Sequence, residues 1–166
     1  ESCLKIKYMF PKAHAAAYVL SAIRVAWWKL YYPREYYAVY FTTRCDAYDI
    51  ETLIQGKEAV LARYQEILSD KQNGVKISNK EEALISVFEI ALEMFERDIH
   101  FNNISLENSD SRCFILDPDD ESGLLPPFIS IDGLGAAVGD SVVEARKQNS
   151  FLSKEDVMKR TKLTNT

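Results

Sequence analysis

The chain has 166 residues, of which 47% are hydrophobic and 27% are charged, a balance typical of a globular protein with one domain or two small subdomains. No run of about 18 uncharged apolar residues occurs, so the sequence excludes a transmembrane helix. The first residue is Glu1 and no signal-peptide pattern follows it, so we expect a segment excised from a longer protein. Disordered ends left out of the sequence are the alternative.

The net charge of −5 is distributed unevenly along the chain. Residues 1–44 contain seven basic and two acidic side chains, residues 45–130 contain seven and eighteen, and residues 131–166 contain six and five. We therefore expect contact with phosphate only near the two ends of the chain. The acidic middle is interpreted as a solvated helix surface.

The first predicted helix runs from Pro11 to about Tyr31. Proline suits the first helical position, where its missing N–H is no loss, and the alanines that follow favour a helix. Apolar side chains occur on all sides of this helix, which predicts burial on more than one face. Its end is predicted to form a heavily packed corner of Trp27, Trp28, Tyr31 and Tyr32. A second short helix is predicted at residues 33–42.

Two further helices are predicted in the middle of the chain. Asp49 is a suitable N-cap for a helix that continues to about Ser69, with Gly56 as a weak position inside it. Ser78 and Glu81 form a capping box at the start of a fourth helix. The apolar residues after this box repeat at helical spacing and predict its buried face, which consists of Leu84, Val87, Phe88, Ala91, Met94 and Phe95.

The character of the sequence changes near Asp98, where we place a boundary between a helical part, residues 1–98, and a second part, residues 99–166. Short β-type runs are predicted at residues 99–106, 112–116 and 124–129. Pro126 and Pro127 would limit the third run to a sheet edge or a crossover. Two last helices are predicted at residues 136–148 and 153–160. The expected fold class is therefore α+β, mainly α.

The first candidate site is the segment 10–18, at the start of the first helix. A helix N-terminus attracts phosphate through its unpaired N–H groups and its positive dipole end. Lys12 is unfavourable in the first turn of an isolated helix, and a bound anion would relieve that conflict. His14 and Tyr18 are four residues apart on one face, so they could contact one ligand together. The alternative is that His14 is a hydrogen-bonded core histidine and Lys12 is simply solvated.

The second candidate site is the segment 131–135, Ile-Asp-Gly-Leu-Gly, which leads into a helix. Glycines at this spacing let backbone amides approach a phosphate closely. The pattern resembles a helix-hairpin-helix, which binds the duplex backbone without reading the base sequence. The fit is partial, because Pro126 and Pro127 prevent a regular helix before the turn and Asp140 would repel a phosphate that it faced. A tight strand-to-helix turn is the alternative.

Other side chains give weaker signals. The tyrosines at positions 31, 32, 36, 37, 40 and 48 could form a stacking platform for bases, but their spacing favours packing in and around the core. The cysteines at positions 3, 45 and 113 lack the spacing of a zinc site or a disulfide framework, and we interpret them as small hydrophobic residues. The sequence contains no recognisable catalytic constellation, and its two histidines make a histidine-built metal site improbable.

Several segments resemble bacterial C-family replicases of the PolC type. The block at residues 5–20, Lys-Ile-Lys-Tyr-Met-Phe-Pro-Lys-Ala-His-Ala-Ala-Ala-Tyr-Val-Leu, is similar to the end of the fingers in these polymerases. Segments 32–41, 92–98, 125–135 and 151–156 match the same type. The sequence departs from the usual pattern at Asp132, where proline is common, and at the acidic tract 117–121.

The resemblance implies a segment of a replicative DNA-directed DNA polymerase that spans the end of the fingers and the start of the duplex-binding region. It implies that Phe10, Lys12, His14 and Tyr18 contact the incoming nucleotide, with Lys12 neutralising triphosphate charge. It also implies that Gly133, Leu134, Gly135 and Ala136 contact the backbone of the product duplex. The alternatives from other classes are a non-catalytic helical scaffold or DNA-binding module, and a protein-interaction segment.

The resemblance also implies what the rest of the polymerase supplies. Its palm aspartates would hold two Mg²⁺ ions, and no metal ligand or catalytic residue is expected in this chain. The exonuclease and the sliding-clamp-binding tail would also lie outside this chain, which alone should be inactive. The expected partners are primer–template DNA, dNTP and the palm, in the bacterial cytoplasm and without a membrane.

Overall fold

The computed structural model describes residues 11–45 and 47–164. The helical part contains α1 (Lys12–Tyr31), α2 (Pro33–Arg44), α3 (Ile50–Ile54), α4 (Lys57–Gln72) and α5 (Asn79–Phe95). The remainder contains β1 (His100–Phe101), β2 (Ile115–Leu116), β3 (Gly123–Leu125), a 3-10 turn at Phe128–Ser130, α6 (Ala136–Arg146) and α7 (Lys154–Arg160). The predicted mainly helical α+β fold is confirmed.

The capping box predicted at Ser78 is present and starts α5. Ser78 Oγ accepts a hydrogen bond from the Glu81 N–H, and the Glu81 carboxylate accepts one from the Ser78 N–H at 2.9 Å. The helix then buries most of the predicted face, because Leu84, Val87, Phe88, Ala91 and Met94 are all enclosed, while Phe95 is half-buried against the core. α4 packs along α5, which contributes five buried residues to the helical part.

The single helix predicted from Asp49 to Ser69 is in fact two helices. The Asp49 side chain accepts a hydrogen bond from the Thr52 N–H, as expected of an N-cap. The chain then breaks at Gly56, whose φ of 93° lies in a region that an α-helix cannot contain. The prediction of one continuous helix is therefore wrong, and Gly56 becomes the N-cap of α4.

The three-stranded sheet has the order β1-β3-β2. β3 runs parallel to β1, with His100 opposite Gly123, and antiparallel to β2, with Ile115 opposite Leu125. Of the two positions predicted for this run, a sheet edge or a crossover, the edge is wrong, since β3 is the central strand. It ends at Leu125, so both prolines lie beyond its hydrogen-bonded ladder.

One hydrophobic core joins the helices to the sheet. Phe41 of α2 is fully buried, and its ring centroid lies 5.0 Å from that of Phe101 and 5.6 Å from that of Phe114. Arg34, in the first turn of α2, donates to the carbonyl oxygens of residues 117, 120 and 123. The core therefore continues across the boundary placed at Asp98, and whether that boundary separates two folding units stays a prediction.

The helix α1 contains no buried residue, although its pattern predicted burial on several faces. Tyr18 is 63% exposed and Leu20 is 58% exposed. The aromatic corner does form, since the ring centroid of Trp27 lies 5.1–5.5 Å from those of Trp28, Tyr31 and Tyr32. These four rings contact one another but remain 44–62% exposed, so the corner is less heavily packed than predicted.

Within residues 11–45 and 47–164, none of the helices combines the length and the apolar character needed to cross a bilayer.

Candidate nucleic-acid interface

The turn that leads into α6 is open and lies on the surface. Gly133 has a φ of 81°, a backbone conformation that suits glycine because it has no Cβ. A Cβ added at Gly133 or at Gly135 would meet no other atom within 4 Å. The Leu134 N–H donates to the Ile131 carbonyl at 3.1 Å and closes the turn. We call the segment Gly133, Leu134, Gly135 and Ala136, which leads from this turn to the first residue of α6, the glycine turn.

No side chain caps the N-terminus of α6. Its N-cap is Gly135, and the first helical turn contains no acidic residue. The first N–H groups of a helix have no acceptor within it, and the helix dipole adds partial positive charge at that end. These groups can therefore donate to an anion. As predicted, no regular helix precedes the glycine turn, since Phe128–Ser130 forms only one 3-10 turn.

The two carboxylates nearest the glycine turn are paired with cations. Asp132 Oδ2 lies 2.6 Å from Lys80 Nζ, in the first turn of α5. Asp140 Oδ2 lies 2.7 Å from Arg112 Nη2, and its other oxygen accepts from Ser111 Oγ at 2.6 Å. The hydrogen bond from Arg112, followed by that from Ser111, lowers the pKa of Asp140. Both ion pairs reduce the repulsion that these carboxylates would exert on a phosphate.

Gly139 sets how closely α6 approaches the segment before it. A Cβ at this position would lie 2.9 Å from Ser111 Oγ and 3.0 Å from Phe128 Cβ. Such distances leave no room for a larger side chain, so only glycine fits here without a shift. The position of the glycine turn, three residues earlier in the chain, depends on this contact.

Sequence reasoning missed Lys80, Arg112 and Gly139 as parts of this site. Lys80 is 52 residues from Asp132, and Arg112 is 28 residues from Asp140. No local spacing signals a pair at such a separation. An additional glycine inside a predicted helix was the one visible signal, because an interior glycine often marks a close contact.

The other predicted site lies at the start of α1. No side chain caps this helix, and its first turn contains no acidic residue. Lys12 lies in that turn and is exposed. The rings of His14 and Tyr18 contact edge to face, with their centroids 4.4 Å apart, so the two side chains share one face as predicted. His14 is exposed, which excludes the alternative of a core histidine.

Phe10, the fourth residue assigned to the nucleotide, lies outside the described residues. The remaining three form an exposed surface, which we call the α1 tip. It therefore combines a cation, an imidazole and a phenol with the uncapped end of a helix. Such a combination suits a ligand with both phosphate and an aromatic or sugar group.

The two sites are connected through opposite ends of α5. Lys80, near its N-terminus, contacts the glycine turn through Asp132, and Glu93, near its C-terminus, contacts Lys29 of α1. Thirteen residues separate Lys80 from Glu93, which corresponds to about 20 Å of helix. From Lys29, α1 extends about 25 Å further to Lys12. The chain thus presents two separate surfaces that can attract anions.

The tyrosines and cysteines considered in the sequence do not form a binding site. Tyr37 is fully buried and the tyrosines at 36, 40 and 48 pack against the core, which confirms the packing interpretation for these four. Cys113 is exposed, which is unusual for a small hydrophobic residue, Cys45 is half-buried, and Cys3 lies outside the described residues. In the parts of the chain that the structure describes, no three His, Cys, Asp or Glu side chains are grouped so that they could hold a metal ion.

Comparison with known proteins finds a matching motif family and a group of similar proteins. The helix-hairpin-helix motif family matches residues 98–166, which include the glycine turn. All 166 residues align with DNA polymerase III PolC-type from Listeria welshimeri serovar 6b, at 49% identity, and from Bacillus subtilis strain 168, at 48% identity. The corresponding protein of Ureaplasma parvum serovar 3 is 43% identical over 169 aligned residues. The chain spans 11–12% of the length of these relatives. All 166 residues are thus similar to one segment of PolC-type DNA polymerase III proteins.

Proposed function

We propose that this chain serves a DNA-directed DNA polymerase by holding the backbone of the product duplex and by contacting the incoming nucleotide. The observation that carries the proposal is the glycine turn, which exposes the uncapped N-terminus of α6 within a matched helix-hairpin-helix region. Backbone amides that donate to phosphate oxygens fix the position of a duplex but read no base. The binding is therefore independent of sequence and weakens as salt rises.

The α1 tip is proposed to contact the incoming nucleotide. The Lys12 ammonium neutralises triphosphate charge, and the N–H groups of the first turn of α1 add donors next to it. His14 and Tyr18, held together on one face, contact the sugar or the base. Phe10 is proposed to contribute from the adjoining segment.

The polymerase as a whole is proposed to work in the bacterial cytoplasm and to bind primer–template DNA and dNTP. Mg²⁺, when bound to the palm, would stabilise charge during phosphoryl transfer. The residues of this chain would orient the substrates and hold no metal. Exonuclease and sliding-clamp contacts are proposed to belong to other parts of the polymerase, and the chain alone is expected to extend no primer.

Duplex binding is tested with the Gly133→Ala variant of this chain. Alanine is strained at a φ of 81°, so the turn shifts and its amides lose their alignment. We expect duplex affinity, measured by fluorescence anisotropy at low salt, to fall about fivefold or more, from the loss of about one charge-assisted hydrogen bond. Gly74→Ala is the matched control, because Gly74 has a φ of 74° and equally open surroundings but lies between α4 and α5. Equal affinities of the two variants would refute the proposed role of the glycine turn.

Nucleotide contact is tested with Lys12→Ala in the full-length polymerase. Loss of a cation that faces triphosphate should raise the KM for dNTP or lower kcat. Arg24→Ala is the control, since Arg24 is an exposed cation further along the same helix. Unchanged kinetics for Lys12→Ala would instead favour the second candidate, a helical scaffold whose glycine turn binds duplex.

A further inference from the structure

The most enclosed charged side chain of α1 is Lys29. Its side chain is 26% exposed, whereas the neighbouring Leu30 is 64% exposed. A helix on a protein surface normally turns apolar residues towards the body and lysines towards water. At the C-terminal end of α1, the lysine faces the helical body and the leucine faces water. The contact between this end of α1 and the helical body is therefore made by a cation.

Lys29 joins three helices. Its Nζ lies 2.6 Å from Glu93 Oε2 of α5. It also lies 5.4 Å and 6.0 Å from the ring centroids of Tyr36 and Tyr37 of α2, within the range of a cation–π contact. Arg97, two residues after the end of α5, donates to the second Glu93 oxygen at 3.4 Å and to the Lys29 carbonyl at 3.5 Å. The C-terminal end of α1 is thus held through both its side chain and its backbone.

The electrostatics show that this contact is partly shielded from water. Burial acts to raise the pKa of Glu93, but the hydrogen bond and charge of Lys29, together with smaller contributions from Arg97 and Tyr37, outweigh it, so the pKa is lowered. The hydroxyl of Tyr37 is fully buried near Glu93 without a well-formed hydrogen bond. Burial, followed by the charge of Glu93, raises the pKa of Tyr37 to about 12, so its hydroxyl stays protonated at physiological pH. Without Lys29, the partly buried Glu93 carboxylate would lose its 2.6 Å ion pair and keep the longer contact with Arg97.

We propose that Lys29 and Glu93 are positioning residues that fix the direction in which α1 leaves the helical body. This inference rests on the proposed role of the α1 tip in nucleotide contact. Because Lys12 lies about 25 Å from Lys29 along the helix axis, a tilt of about 5° at Lys29 moves Lys12 by roughly 2 Å. Displacements of that size are large for a group that orients a reacting substrate.

The test compares Lys29→Met with Lys57→Met in the full-length polymerase. Lys57 is the matched control, because its Nζ pairs with Glu96 Oε1 at 2.7 Å, one helical turn from Glu93, but joins α4 instead of α1 to α5. We expect Lys29→Met to raise the KM for dNTP about tenfold, while the Kd for primer–template stays within about twofold of the wild type. Lys29→Arg, which retains the charge, should have a KM for dNTP close to that of the wild type. Lys57→Met should leave both the KM for dNTP and the Kd for primer–template unchanged.

A change in the KM for dNTP without a change in the Kd for primer–template distinguishes positioning from general destabilisation. A variant that unfolds loses DNA affinity and nucleotide affinity together, whereas a tilted α1 affects the nucleotide alone. Equal KM values for Lys29→Met and Lys57→Met would overturn the inference, as would parallel loss of both affinities. If Lys12→Ala alone raises KM, the proposed function stands and only this inference fails. If Lys12→Ala also has no effect, the nucleotide role of α1 fails first.

Discussion

Replacement of Gly139 by alanine tests the packing that positions the glycine turn. In an exposed helix, this substitution would be stabilising, because alanine has a higher helix propensity than glycine by about 1 kcal/mol. In α6 the added Cβ would instead lie 2.9 Å from Ser111 Oγ and 3.0 Å from Phe128 Cβ. The structure therefore predicts the opposite sign.

The size of the stability change depends on how far Ser111 and Phe128 can move away from the added Cβ. Ser111 Oγ can rotate away only by giving up its 2.6 Å hydrogen bond to Asp140. Phe128 Cβ is attached directly to the backbone and cannot move alone, so α6 must shift. Overpacking of this kind costs about 1–3 kcal/mol, and the gain in helix propensity offsets about 1 kcal/mol of that. We expect a net loss of up to about 2 kcal/mol in the free energy of unfolding.

The assay is urea unfolding of the 166-residue chain, followed by circular dichroism at 222 nm. Ala137→Gly calibrates the propensity term, because Ala137 is an exposed residue of the same helix. We expect this variant to lose about 1 kcal/mol. A shift of α6 should also weaken duplex binding by Gly139→Ala, measured under conditions in which the variant is still folded.

A Gly139→Ala protein that is more stable than the wild type by the amount that Ala137→Gly loses would refute the reasoning. Such a result would mean that α6 does not approach Ser111 and Phe128 as closely as the structure shows. The conclusion that this contact positions the glycine turn would then fail with it.

Three further predictions concern stability. Ser78→Ala removes a capping-box acceptor and should destabilise the chain by about 1 kcal/mol in urea unfolding; an unchanged midpoint would contradict the role of the box. Hydrogen bonds, the largest from Asn102, lower the pKa of Asp120 to about 2, so its contribution to stability is present above about pH 4 and is lost as the pH falls towards 2. Asp120→Asn should therefore show a smaller loss of stability across that pH range than the wild type, and parallel pH profiles would contradict this. Phe41→Ala should cost about 3–5 kcal/mol in the free energy of unfolding, whereas Val39→Ala, on the exposed side of the same helix, should change it by less than about 0.5 kcal/mol; equal losses would contradict the burial of Phe41.

Local signals predicted the parts of the fold that depend on neighbouring residues. The capping box at Ser78 and the apolar spacing after it predicted α5, because both involve residues within a few positions of each other. Gly56 shows the limit of such signals. A glycine can sit inside a helix at modest cost or end it with a positive φ, and only the surrounding fold decides between the two.

Features that depend on distant contacts could not be predicted. β3 is central because β1 and β2 both pair with it, and no local pattern specifies that order. The apolar residues of α1 correctly indicate a helix, but sequence alone does not say which partner covers them. In the candidate site, glycine spacing identified the turn, while the Lys80 and Arg112 ion pairs became visible only when the chain was folded.

Both tryptophans of the chain, Trp27 and Trp28, lie on α1, and both are about half exposed. Excitation at 295 nm therefore reports on the surroundings of this helix alone and needs no attached dye. Emission should shift to shorter wavelengths when another protein surface covers α1, and it should stay unchanged when duplex occupies the distant turn at Gly133. The protein thus carries a built-in optical probe that separates docking of its first helix from DNA binding.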